Sequence, residues 1–160
     1  MPQNFAEGMS QDTIDACVEL LNHHVASSID LTLAVKQAHW NCKGRGFIGF
    51  HELLDDVAER MRERTDTMAE RVVVMGGLAA GTTQVAEAKT ILAPYPTDLV
   101  DLQEHVRELV QRFKTFGASV REAIAKADEA GSEDVADLFT EVSRGVDKDA
   151  WFIGANAASN

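Results

Sequence analysis

A chain of 160 residues is one domain's length, and 45% hydrophobic content supplies the apolar surface for a single core. A net charge of -11 speaks against phosphate binding and for cations as partners. No apolar run approaches the roughly 20 residues of a membrane span. The polar start MPQNFAEGMSQD is unlike a secretory leader, and Cys17 and Cys42 are too few for a disulfide framework, so reduced thiols in a cytoplasm are expected.

Three prolines and a single tyrosine suit helices better than a sheet. After a flexible tail over residues 1–9, Ser10 or Asp12 offers an N-cap. Ile14, Val18, Leu21, Val25, Ile29, Thr32 and Val35 then recur at helical spacing, predicting an amphipathic rod to Trp40. His23 and His24 lie within it as polar or interface positions. The glycines of CKGRGF open a short turn, which makes the next helix an antiparallel neighbour. That helix runs from Phe47 to about Met75, with Gly76-Gly77 as its stop. Residues 78–97 form a long connection in which VAEAKTIL could make a short helix. A further helix is predicted from Thr97 or Asp98 to Ala130, with Leu102, Val106, Leu109, Val110, Phe113, Val120 and Ile124 on its stripe. Gly131 ends it, and Ser132 is the expected N-cap of the last helix, about 133–155. That helix turns Val135, Leu138, Val142, Val146 and Phe152 inward, with Gly145 weakening it by about 1 kcal/mol. Residues 155–160 form a C-terminal tail, and the whole reads as one all-α domain, 1–160.

The segment from Lys36 to Gly77 carries the candidate chemistry. At 100° per residue, with His51 at the origin, Asp55, Asp66 and Glu70 lie at roughly 40°, 60° and 100°, all on one helix face. Yet His51 and Asp66 are about 22 Å apart along the axis, too far to share ions whose bonds are about 2 Å. One chain thus offers two half-sites, His51/Asp55 and Asp66/Glu70, each an i,i+4 pair. An antiparallel copy of the helix, related by a two-fold axis near Arg60-Met61, would bring each half-site against the partner's other half. His39, ending the preceding helix, could cap the site. Cys42 is more simply a packed thiol than a ligand. The two C-terminal helices contain no Glu-x-x-His motif, so a metal site inside one bundle is not expected.

AHWNCKG, HELLD and DTMAER, with gaps of 12, 4, 11 and 4 between His39, His51, Asp55, Asp66 and Glu70, closely resemble the Dps family of mini-ferritins. SRGVDKDAWFI near the C-terminus resembles it more weakly. The resemblance implies a ferritin-like four-helix bundle with a long crossover between the second and third helices. It implies that the five residues are the catalytic and metal-binding set of a di-iron ferroxidase centre shared by two chains. Fe(II) would be oxidised, preferentially by hydrogen peroxide, and ferric iron stored in a homo-dodecamer built from two-fold dimers. Trp40 and Trp151 would lie near the centre, where either could quench a stray oxidising equivalent. Asp134, Asp137 and Asp147 match acidic positions of three-fold pores that admit iron.

The competing class is a nucleoid protein that shields DNA physically, which many Dps proteins do through basic tails. This sequence has no Lys or Arg before Lys36 and none after Lys148. DNA binding through the tails is therefore not expected; divalent-cation bridges or a patch around Lys43 and Arg45 are the remaining routes.

Overall fold

The computed structural model describes residues 2–158, and among them the regular structure is entirely helical. The helices are α1 (Gln11–Asn41), α2 (Phe47–Val74), α3 (Thr83–Lys89), α4 (Leu102–Glu129) and α5 (Glu133–Gly154). None is long and apolar enough to cross a membrane. The long helices pack chiefly as the pairs α1–α2 and α4–α5, closed into a bundle by α1–α4 and α2–α5, with α3 against α1.

Local chemistry explains the boundaries. Ser10 accepts the Thr13 amide at 3.1 Å and starts α1. Gly76, at φ +81°, ends α2 in the left-handed conformation. The Gly77 amide meanwhile bonds back to Val72. A side chain at 76 would also press on the Asn4 backbone at 3.3 Å.

Two expected boundaries differ, and one expected cap sits where it was placed but bonds differently. α4 begins at Leu102 rather than at Thr97 or Asp98. The Lys43 amide bonds the Val100 carbonyl at 2.8 Å, and the Leu102 amide bonds the Lys43 carbonyl at 3.0 Å. These bonds hold the preceding residues extended against the α1–α2 turn, and Asp101 caps the helix through the Gln103 amide. The short crossover helix spans Thr83–Lys89, leaving Thr90 to bond Asp30 and Leu92 to enter the core. Ser132 occupies the N-cap position of α5, but its hydroxyl donates to Asp134 rather than capping an amide.

Because α4 starts at the α1–α2 turn, the crossover must return along the bundle, and α4 runs parallel to α2. Arg112 fastens it: buried on α4, its Nη2 donates to the carbonyls of Pro94 at 2.7 Å and Ala93 at 3.2 Å. The core is continuous, with Phe50, Phe113, Phe116 and Phe139 among its largest fully buried side chains. On α5, Phe139 and Ile153 are fully buried, whereas Phe152, expected inside, is only half-buried. Of the two expected tails, Met1, Ser159 and Asn160 lie outside the described residues. Phe5 donates its amide to the Val74 carbonyl, Met9 packs on the core, and the Ala158 amide bonds Gln103.

His24 and His105 are internal. His24 lies between the Leu20 carbonyl and the Ser119 hydroxyl. His105 lies between the Tyr95 hydroxyl and the Leu99 carbonyl. Burial pushes both below the ordinary histidine value.

Candidate metal centre

The short turn between α1 and α2 folds the end of one helix onto the start of the next, and this brings His39 over His51. Their rings stack at 3.7 Å between centroids, 17° from parallel. His39 Nδ1 donates to the His51 carbonyl, and His51 Nδ1 donates to the His39 carbonyl, each at 2.7 Å. A carbonyl can only accept, so each Nδ1 carries the hydrogen, and in the neutral ring Nε2 is left with the lone pair. This pair of bonds sets both imidazoles in the tautomer a metal ligand needs.

Asp55 lies one turn beyond His51 and is exposed. Lys36 Nζ donates to its Oδ1 at 2.7 Å, and His39 Nε2 stands 3.9 Å from the same oxygen. The Lys36 hydrogen bond, reinforced by the Lys36 charge, holds this exposed carboxyl below the usual carboxylate range, and the two neighbouring imidazoles add a smaller effect in the same direction. Asp66 and Glu70 lie on the same helix face and are exposed. Asp66 also borders a groove of about 390 Å³ between α1 and α2, walled by Val25, Ile29, Leu33 and Ala69. Leu33, Trp40 and Ile48 expose more than half of their surface. Within one chain, no group of three or more His, Cys, Asp or Glu among the described residues converges to hold a metal ion. Cys42 is buried, its thiol directed at the His39 carbonyl at 3.8 Å, and burial pushes it above the ordinary thiol value.

The ferritin-like domain family matches residues 18–158. The chain is 45% identical to the DNA protection during starvation protein of Agrobacterium fabrum over 139 residues, covering 87% of this chain and 86% of that one. It is 28% identical to DNA protection during starvation protein 1 of Deinococcus radiodurans, covering 92% and 71%. This protein belongs to the Dps family. A Mycobacterium smegmatis Dps structure superposes with a TM-score of 0.93 at 26% identity, covering 99% of this chain and 96% of that one. DpsC from Streptomyces coelicolor gives 0.93 at 27%, covering 100% and 94%.

The other residues singled out by the Dps resemblance fall as follows. Asp134 is ion-paired with Arg71. Burial alone would raise its carboxyl, but the Ser132 hydroxyl and the Arg71 guanidinium hold it below the ordinary value. Asp147 is bridged by Arg121 Nη1 at 3.0 and 2.9 Å. Asp137 is exposed and has no ion-pair partner among the described residues. Trp40 lies beneath Lys36, whose Nζ is 5.5 Å from its ring centre, so it adjoins the Asp55 half-site through that lysine. Trp151, on α5, packs against Phe152 at 5.0 Å.

Sequence reasoning missed two features. Lys36 gives no signal of its role in the sequence, where a lysine before the motif reads as solvated surface. The other is Asp149, fully buried on α5, which accepts from Arg60 Nε and Nη2 at 2.9 and 2.7 Å and from Arg64 Nη1 at 2.6 Å. Its signal was available: Asp149 follows Val142 and Val146 on the apolar stripe, and a charge there demands a partner. Gly145 belongs to the same device. A Cβ at this position would stand 2.5 Å from Arg64 Nη2 and 2.6 Å from Nε, so the mid-helix glycine makes room for the guanidinium.

Proposed function

We propose that this protein is a Dps ferroxidase that oxidises Fe(II), preferentially with hydrogen peroxide, and stores the ferric product in a hollow dodecamer. Its role would be protection against oxidative stress in the cytoplasm. The observation that carries the reading is the split site. Two stacked imidazoles, each with Nδ1 held by the other's backbone carbonyl, stand at one end of α2, while Asp66 and Glu70 lie about 22 Å further along the same face. A two-fold partner would complete it, joining His39, His51 and Asp55 of one chain to Asp66 and Glu70 of the other. The exposed Leu33, Trp40 and Ile48 support a covered face there.

The donors suit the substrate. Imidazole nitrogen takes Fe(II) readily, and carboxylate oxygen stabilises Fe(III) as it forms. Before iron arrives, Lys36 supplies the countercharge for Asp55. Two Fe(II) ions each yield one electron to one hydrogen peroxide, which leaves with two protons as two waters. No hydroxyl radical is released, and both reagents of radical chemistry are consumed together. Trp40 adjoins the Asp55 half-site and would intercept a stray oxidising equivalent, and Trp151 would do so from α5. Asp134, Asp137 and Asp147 would draw cations toward three-fold pores.

Anaerobic Fe(II) titration, followed by separate additions of peroxide and of oxygen, tests the reading. It expects saturable Fe(II) binding at two ions per shared site and oxidation at two Fe(II) per peroxide. One Fe(II) per peroxide with radical release would refute it. The relatives' shared name also admits physical shielding of DNA. The net charge of -11, with 35 residues free of Lys and Arg before Lys36, favours chemical protection instead. A mobility shift of plain duplex at moderate salt without divalent cations would reverse that preference.

A further inference from the structure

A negative chain can still hold an anion where its cations are gathered locally. The groove between α2 and α5, about 450 Å³, is lined by Arg60, Arg64, Arg144 and Lys148, four of the chain's fifteen Lys and Arg residues. Glu63 and Glu141 flank it, and Asp149 lies buried beneath. Four cations against three carboxylates leave one positive charge in a chain of -11.

The donors are underused. Asp149 engages one edge of Arg60 and only Nη1 of Arg64. Arg64 Nε and Nη2 find no acceptor among the described residues. They are not sealed in the interior as the unpartnered Nε atoms of Arg71 and Arg112 are, and they lie beside Gly145 where both residues line the groove. Neither Arg144 nor Lys148, one turn apart on α5, has a carboxylate within salt-bridge distance among the described residues. Lys148 instead lies over the Phe152 ring at 5.4 Å. Gly145, between them, leaves out the Cβ that would otherwise occupy the place of the Arg64 guanidinium. A helix interior loses stability to such a glycine.

We propose that this groove is an oxyanion site that takes inorganic phosphate. The guanidinium edge of Arg64 presents two parallel N–H donors, the geometry that matches a tetrahedral oxyanion. Arg144 and Lys148 close over the ion from the exposed side, and Arg60 adds its free Nη1. Glu63 and Glu141 at the rim repel an extended polyanion while leaving room for one small ion. The site is independent of the metal half-sites, and the measurement on metal-free protein leaves the ferroxidase reading untouched if it fails.

The test is calorimetric titration of metal-free, assembled protein with inorganic phosphate at low ionic strength, with phosphorus NMR line width as a second readout. Saturable binding of one phosphate per chain is expected, resistant to chloride at equal ionic strength. Arg144→Gln combined with Lys148→Gln removes two exposed charged donors and should weaken binding at least about tenfold without lowering the melting temperature. Gly145→Ala, which displaces the Arg64 guanidinium, should weaken it independently. Unsaturable binding, displacement by chloride at equal ionic strength, or a double variant that binds like the parent would each overturn the assignment. So would a short DNA duplex that displaces phosphate, since the groove would then be a nucleic-acid surface.

Discussion

The shared site makes a quantitative prediction for mixed assemblies. His51→Ala destroys the imidazole half-site and Asp66→Ala the carboxylate half-site, and the two positions lie about 22 Å apart on one helix. A dimer with one chain of each variant contains one site with both defects and one with neither. When the chains are unfolded together and reassembled at random in equal amounts, half of the dimers are mixed. Half of their sites are intact, so about a quarter of wild-type ferroxidase activity should return. Across mixing ratios, activity should trace a parabola with its maximum at equal amounts. The assay is the initial rate of Fe(III) absorbance after anaerobic Fe(II) loading and addition of peroxide, with each parent reassembled alone as baseline. A flat line at the parents' level, with intact shells confirmed by size, would refute the split-site reasoning and place each centre within one chain.

Asp149→Ala leaves Arg60 and Arg64 uncompensated beneath the groove and should cost about 3–5 kcal/mol. For a chain of this size that lowers the melting temperature by about 10 °C, measurable by circular dichroism, and a loss within error would show that the network is idle. Lys36→Met removes the strongest influence holding the Asp55 carboxyl down. Its titration, followed by carboxyl-carbon NMR, should move up toward the ordinary value, so that Fe(II) binding at the half-site weakens sooner as pH falls. Replacing Asp134, Asp137 and Asp147 together with Asn should slow iron uptake, most at low salt where screening is weak. Because Arg71 and Arg121 already pair with two of them, Asp137→Asn alone should account for much of the effect. Unchanged uptake rates at low ionic strength would rule out that route.

The four long helices and their antiparallel turn were legible because apolar residues at helical spacing commit a face to the core, whichever neighbour covers it. The face shared by His51, Asp55, Asp66 and Glu70 was equally legible, since a helix fixes angle and rise for every residue. What escaped depends on partners far away in sequence. The start of α4 is set by Lys43, which clasps the 100–102 backbone and overrides the capping that Thr97 or Asp98 could offer. Phe152 is only half-buried while Ile153 turns fully in, a shift of one position that a stripe of widely spaced apolar residues does not resolve. Lys36 and Asp149 carry charges whose meaning lies in Asp55, Arg60 and Arg64, and no periodicity announces such pairs. Gly145, read as a weak point, is the space in which Arg64 lies.

The reciprocal bonds between the two imidazoles and the two backbone carbonyls form a closed circuit: each histidine orients the other through the main chain it belongs to. Substituting either one removes a side-chain donor from the other's carbonyl and frees the remaining ring to rotate or change tautomer. A single His39 or His51 variant therefore measures more than the loss of one ligand, and the two losses should sum to more than the double variant shows. Any engineering that exchanges these histidines for other donors has to replace the pair as one object, because the unit that binds metal here is the clasp rather than the side chain.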